Sequence, residues 1–166
     1  MLHPFNTLSF LSIWYWAFTV LVWTLVTHRV LGVPHDMLLR AARLPEVAAR
    51  VDTLAHIAAD RARGLAESAG VALAALAGFC LAMLAVLGFV FGVELARALV
   101  PLAFPLALVA ALTARLAARV RAEGLRGEPL RRLLSRHRAR NQGVAILAMF
   151  AAAVLAVTEP AAFFPR

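Results

Sequence analysis

The chain has 166 residues, 63% of them hydrophobic, and a formal net charge of +8. A soluble domain of this length has too little interior to hide such an apolar excess, because small domains keep much of their surface exposed. The composition therefore excludes an ordinary soluble domain and indicates an integral membrane protein. The single cysteine, Cys80, excludes an intrachain disulfide, and the complete lack of lysine excludes lysine-based chemistry.

Residues 8–26 form the first apolar stretch without a formal charge. A helix of this length reaches about 28 Å, close to the hydrocarbon core of about 30 Å. Residues 1–7 contain no Arg or Lys, and no small-residue cleavage motif follows Val26. We therefore predict a retained membrane helix rather than a removable secretory signal.

The second predicted span covers residues 71–93 and contains Gly78, Gly88 and Gly92. The G-x-x-x-G spacing of Gly88 and Gly92 is typical of helices whose backbones approach closely, and Gly78 extends the row of small residues. We expect these glycines to serve helix packing within one monomer rather than dimerisation.

A third span is predicted over residues 98–114, so residues 94–97 are expected to form the turn of a tight helical hairpin. Pro101 would then lie in the first helical turn, where its missing N–H costs little, and Pro105 would kink the helix. The fourth predicted span, residues 143–158, is short, and residues 161–164 are expected to extend it into the interface.

Fifteen of the seventeen arginines lie in residues 27–69 and 115–142, on either side of the central hairpin. Four spans place both segments on one face, which the positive-inside rule makes cytoplasmic. We therefore predict a bacterial inner-membrane protein with both termini in the periplasm. The fold class is an all-α bundle of four transmembrane helices with cytoplasmic amphipathic helices, in a single membrane domain over residues 1–166.

The first basic segment has nearly balanced charge and a helical pattern that begins at Pro45. Its apolar positions follow three-, four- and seven-residue steps, at Val47, Val51, Leu54, Ala58 and Leu65. We expect this helix to continue without a break into the second span and to pack against the other basic segment.

The second basic segment contains a helix that Pro129 is expected to open, with Leu130, Leu133 and Leu134 on one face. This pattern is typical of an interfacial helix attracted to anionic lipid headgroups. The residues predicted to contact lipid or a protein partner are Arg126, Arg131, Arg132, Arg136, Arg138 and Arg140. A loop that serves only to fix the topology explains the same arginines and is favoured. Nucleic acid is not an expected partner, because no aromatic residues interleave with the arginines.

Candidate chemistry is limited to His28, His35 and Asp36, which could converge around the Gly32–Pro34 turn. The chain has no His-x-x-x-His or Cys-x-x-Cys spacing of the kind that zinc sites use. The four apolar stretches contain no Asp, Glu, Arg, Lys or His, which argues against a proton-coupled transporter. We therefore predict no enzymatic activity and no catalytic, cofactor-binding or metal site.

Three stretches resemble a family of small alphaproteobacterial membrane proteins often labelled "component of SufBCD complex". They are WYWAFTVLVWTLVTHRVLGVPHDMLLRAAR, MLAVLGFVFGVELARALVPLAFPLAL and RAEGLRGEPLRRLLSRHR, in the same order as in the family. The resemblance runs from Trp14 to about Gly143 and implies a role in iron–sulfur cluster assembly. Since clusters usually take four cysteine thiolates and this chain has one, the implied role is to tether a soluble assembly complex.

These observations leave three hypotheses. The first is a non-enzymatic accessory or scaffold protein that tethers or stabilises a larger complex. The second is a small transporter or channel that forms on oligomerisation. The third is a membrane enzyme that acts on a lipid headgroup and uses His28, His35 and Asp36.

Overall fold

The computed structural model describes residues 13–158. Its elements in chain order are α1 (Ile13–His28), β1 (Arg29–Val30), β2 (Val33–Pro34), α2 (His35–Ala41), α3 (Pro45–Ala85), a π-helical turn (Val86–Val90), α4 (Glu94–Ala122) and α5 (Gly127–Thr158). The predicted all-helical architecture is confirmed, apart from the short antiparallel pair of β1 and β2. Three helical stretches, Pro45–Val90, Glu94–Ala122 and Gly127–Thr158, are long and apolar enough to cross a membrane.

The two strands are joined by a two-residue turn at Leu31 and Gly32, one position earlier than the predicted turn. Both residues have positive φ, 50° for Leu31 and 75° for Gly32, as a type I′ hairpin turn requires. Leu31 is not a residue that favours this conformation, but its side chain is buried in the core. Burial of Leu31 therefore offsets the cost of its backbone.

Helix α1 is a shorter apolar helix of sixteen residues. It overlaps the first predicted span, of which residues 8–12 lie outside the described residues. The Tyr15 hydroxyl donates a hydrogen bond to the carbonyl oxygen of Ala98 at 3.0 Å. This bond fixes the start of α1 beside the start of α4.

Helix α3 begins with Pro45 at its N-terminus and continues without a break to Ala85. The predicted continuous helix from the first basic segment into the second span is therefore confirmed. Its 41 residues would extend about 60 Å. The apolar stretch then ends in the π-helical turn and a reversal at Gly92, whose φ is +69°.

Helix α4 starts earlier than predicted. Residues 94–97 form its first turn, and the reversal lies at residues 91–93, because the left-handed conformation of Gly92 turns the chain there. Glu94 gains from this start, since a carboxylate is favourable at a helix N-terminus. Pro101 consequently lies inside the helix with Pro105, and its predicted place in the first turn is wrong.

Helix α5 joins the second basic segment and residues 143–158 in one continuous rod. It begins at Gly127, two residues before the predicted start at Pro129. The predicted interfacial extension at residues 161–164 lies outside the described residues.

Two separate apolar cores hold the helices together. The large core joins the hairpin, α2 and the basic ends of α3, α4 and α5, through Val30, Leu31, Val33, Leu38, Ala41, Val51, Ala55, Ala59, Leu116, Ala117, Val120, Leu130 and Leu134. The small core joins α1 to the apolar parts of α4 and α5, through Trp23, Leu102, Val109, Ala145 and Ala148. Most of the packing therefore lies at the arginine-rich end of the molecule.

The large core confirms that the two basic segments pack against each other, but it changes which residues do so. On α3 the buried stripe is Val51, Ala55 and Ala59, whereas Leu54 and Leu65 are 36% and 56% exposed. Alanines let the helices approach closely, so the stripe runs along the small residues. On α5 the side chains of Leu130 and Leu134 are fully buried in this core. They are covered by protein, so the predicted interfacial helix does not offer them to lipid.

Candidate anion-binding groove at the basic end

Helix α3 contacts the end of α4, the α4–α5 loop and the start of α5 through three polar side chains at four-residue spacing. The Asp52 carboxylate accepts hydrogen bonds from the Gly127 backbone N–H, at 2.9 Å and 3.0 Å to its two oxygens. One turn later, His56 Nε2 lies 3.0 Å from the carbonyl oxygen of Leu125, which requires the proton on Nε2. A further turn along, Asp60 pairs with Arg121. Together these three contacts fix the angle at which α5 leaves the loop.

A groove of about 340 Å³ opens between α4 and α5 on the side of the seam where arginines project. Each helix contributes one face, with residues at steps of three, four and seven. From α4 these are Leu112, Arg115, Leu116 and Arg119, and from α5 they are Leu133, Arg136, His137 and Arg140. We call this feature the arginine groove. Four guanidinium groups thus share one concave surface with an apolar floor.

The arginine groove differs in charge from its neighbour along the same seam. A second groove of about 350 Å³ lies nearer the α4–α5 loop and includes Glu123 and Glu128 in its lining. Glu123 binds Arg119 at 2.8 Å, and Glu128 pairs with Arg132. Within residues 13–158, no carboxylate pairs with Arg115, Arg136 or Arg140. The arginine groove is therefore lined by four arginines and no carboxylate, whereas the neighbouring groove, which shares Arg119 and Arg136 with it, is lined by three arginines and two carboxylates.

His137 forms part of the groove wall and is almost fully buried. Its Nε2 lies 3.2 Å from the Thr113 hydroxyl, which is 2.8 Å from the Val109 carbonyl oxygen and donates to it. The hydroxyl proton is thus already used, so His137 is the donor in the first bond. Burial lowers the pKa of His137, and the nearby charge of Arg140 lowers it further. The His137 side chain therefore links α5 to α4 in the wall of the groove.

The six arginines predicted to contact lipid or a partner have different surroundings in the structure. Arg136 and Arg140 line the arginine groove. Arg132 forms an ion pair with Glu128, and Arg126 is exposed next to Gly127 in the sequence. Arg131 is partly exposed, and Arg138 has a buried Nη1 that finds no hydrogen-bond partner within residues 13–158.

Sequence reasoning did not single out Arg115 and Arg119 as site residues. Their four-residue spacing matches that of Arg136 and Arg140, so both pairs fall on single helix faces. This matching spacing is the feature of the sequence from which a shared site could have been predicted. Only the crossing of α4 and α5 brings the two faces together.

The three glycines predicted to serve helix packing have different surroundings. A Cβ on Gly88 would lie 2.9 Å from the backbone N and Cα of Arg97, so the π-helical turn touches α4 at this point. The Arg97 Nε also donates to the Gly88 carbonyl oxygen at 3.0 Å. Gly92 forms the reversal, whereas a Cβ on Gly78 would meet no atom of the described chain within 4 Å. Gly88 therefore packs within the monomer, whereas Gly78 packs against none of the residues 13–158.

The structure does not assemble a metal site from the histidines and acids. His28 ends α1, His35 begins α2 and Asp36 follows it in the first turn. Among the described residues, no three His, Cys, Asp or Glu side chains lie close enough to hold a metal ion. The third hypothesis, which needs these side chains to act together, gains no support from their placement.

No family model, curated protein or solved structure matches the chain.

Proposed function

We propose that this protein is a non-enzymatic accessory protein of the bacterial inner membrane, which anchors a folded helical platform at the cytoplasmic surface. The platform consists of the hairpin, α2 and the basic ends of α3, α4 and α5. The observation that carries the proposal is the position of the large core. It lies entirely in the arginine-rich segments and outside the apolar stretches. A loop that only fixed topology would need no such core.

Four membrane segments and cytoplasmic arginines are part of the proposal. The segments are α1 with the residues before it, residues 71–93, residues 98–114 and residues 143–158. The clustering of fifteen arginines in the two remaining segments supports this orientation. In this arrangement the platform faces the cytoplasm, and both termini with the Gly92 reversal face the periplasm.

The apolar stretches support anchoring rather than transport. They contain no Asp, Glu, Arg, Lys or His, and the small core that joins α1 to α4 and α5 is built from Trp, Leu, Val and Ala. Ion and proton pathways need polar or ionisable groups inside the membrane. Every residue from 71 to 80 is exposed on the surface of the monomer. This face is suited to acyl chains or to a larger membrane complex.

The resemblance described above makes the SufBCD assembly the first partner to examine. In that case the platform would hold a soluble complex at the membrane, and Cys80 would take no part in cluster ligation. The proposal needs only that a partner recognises the platform.

The test is native mass spectrometry of the full-length protein extracted in mild detergent. We expect one stoichiometric heteromeric partner. The double variant Leu130→Ala with Leu134→Ala creates cavities in the large core. This variant should no longer bind the partner but should remain in the membrane. The control double variant Leu39→Ala with Leu44→Ala alters side chains that are 61% and 52% exposed and should keep it.

Two results would overturn the proposal. A pure homo-oligomer that conducts ions in proteoliposomes would favour the transporter or channel. Release of the protein from membranes by a carbonate wash would remove the membrane placement altogether.

A further inference from the structure

The arginine groove holds more positive charge than the fold uses. Arg119 is the one groove arginine with an ion-pair partner in the described chain, and Arg115, Arg136 and Arg140 have none. The positive charges repel one another across a shared concavity of about 340 Å³. Several positive charges that line one concavity raise the local concentration of anions there.

The groove also lies where the apolar stretches end. Arg115 directly follows residues 98–114, and Arg140 precedes residues 143–158 by three positions. Leu112, inside the third apolar stretch, lines the same groove. A molecule in the groove would therefore meet guanidinium groups at one end and the beginning of the hydrocarbon region at the other.

We propose that the arginine groove binds the phosphate group of an anionic phospholipid headgroup from the cytoplasmic leaflet. The inference goes beyond the proposed function but rests on the membrane placement stated there. Guanidinium groups bind phosphate oxygens through paired N–H donors, and several forks around one phosphate fix its position. A zwitterionic headgroup brings its own ammonium group into the positive field and is disfavoured. An apolar wall that continues into the membrane favours a lipid over a soluble phosphate.

His137 positions the groove rather than binding the phosphate through a charge. Its ring is hydrogen-bonded to Thr113, so it holds the part of α5 between Arg136 and Arg140 against α4. The bound headgroup would cross-link α4 and α5 close to the point where both leave the platform.

The test uses the full-length protein reconstituted in vesicles of phosphatidylglycerol and phosphatidylethanolamine, then extracted for native mass spectrometry. The groove variant is Arg115→Gln with Arg136→Gln and Arg140→Gln. The control is Arg40→Gln with Arg43→Gln and Arg61→Gln, which removes the same charge from exposed arginines without an ion pair in the described chain. We expect the wild type and the control to retain phosphatidylglycerol. The groove variant should bind it on the order of a hundredfold more weakly, since each basic residue near an anionic surface contributes about fivefold.

A second variant guards against misfolding. Arg115→Lys with Arg136→Lys and Arg140→Lys keeps the charge and removes the paired donors, so it should bind phosphatidylglycerol with an affinity between the wild type and the Gln variant. Helix content by circular dichroism must match the wild type for each variant.

Three outcomes would overturn the inference. They are equal lipid retention by the groove and control variants, retention of phosphatidylethanolamine as strong as that of phosphatidylglycerol, and displacement of the lipid by inorganic phosphate at equal concentration. The last outcome would identify a soluble anion as the ligand. Failure of the wild type to insert into vesicles would instead count against the membrane placement of the proposed function.

Discussion

The Asp52 carboxylate receives the backbone N–H of Gly127 on both of its oxygens, at 2.9 Å and 3.0 Å. The N-terminus of α5 is thus capped by a side chain of α3, 75 residues away in the sequence. The residue before Gly127 is Arg126, whose side chain cannot accept a hydrogen bond. The cap therefore has to come from another helix, and it sets the position of α5 on the platform.

Asp52→Ala should lower the free energy of unfolding by about 1 kcal/mol, because it leaves the α5 N-terminus without its acceptor. Asp52→Asn keeps one acceptor oxygen and should lower the free energy of unfolding by less. Thermal unfolding in detergent, followed by circular dichroism, measures both. Glu67→Ala on the same helix is the control, since its ion pair with Arg63 is exposed and contributes little. Equal effects of Asp52→Ala and Glu67→Ala would contradict the cap.

Leu134→Ala should destabilise the platform by about 2–5 kcal/mol, because Leu134 is fully buried in the large core. Leu39→Ala removes the same side-chain atoms from a position that is 61% exposed and should change stability by less than about 0.5 kcal/mol. Limited proteolysis of the α4–α5 loop reports the difference. Similar cleavage rates for the two variants would show that the platform does not depend on this core.

Gly88→Ala should destabilise the hairpin of α3 and α4 by about 1–3 kcal/mol, because the new methyl group would overlap backbone atoms of Arg97. Gly78→Ala meets no neighbour and should be neutral or stabilising by up to about 1 kcal/mol, since alanine favours helix more than glycine does. Thermal unfolding in detergent separates the two. If Gly78→Ala were the more damaging change, a contact outside the monomer would have to involve Gly78.

His137 predicts a pH dependence of stability. Burial and then Arg140 lower the pKa of His137 below its ordinary value of 6.5, so the unfolded chain binds this proton more tightly than the folded chain does. Neutral His137 makes its full contribution to the free energy of unfolding above the pKa that it has in the unfolded chain. This contribution is lost as the pH falls from there through the lower pKa of the folded protein. Arg115, Arg119 and Arg136 line the same groove as His137.

We therefore expect the unfolding temperature of the wild type to fall from about pH 6.5 downwards more steeply than that of His137→Gln. The Gln side chain can still donate to Thr113, so the variant isolates the titration. Parallel curves for the two proteins would mean that His137 titrates normally.

The proposed orientation predicts the pattern of thiol labelling in a Cys80→Ser background. Ser135, in the basic part of α5, and Val93, at the reversal before α4, are both exposed. A membrane-impermeant maleimide applied to intact spheroplasts should label Val93→Cys, and should label Ser135→Cys only after lysis. Labelling of Ser135→Cys before lysis would reverse the orientation.

Hydrophobic periodicity was sufficient to predict the helices themselves. The long α3, the pairing of the two basic segments and the all-helical architecture follow from runs of apolar residues and from a stripe at helical spacing. Helix ends were less predictable. The start of α4 depends on the left-handed conformation of Gly92, which no periodicity reveals, and this moved Pro101 from the first turn into the helix.

The sequence by itself determined that the chain is helical, apolar in four stretches and basic between them, because composition and spacing act within each helix. Which faces meet was decided only by the tertiary structure. Alanines rather than leucines line the contact on α3, because closely packed helices need small side chains. Arg115 and Arg140 belong to one groove only because α4 and α5 cross there, and a contact between two helices depends on their relative rotation, which neither helix encodes alone.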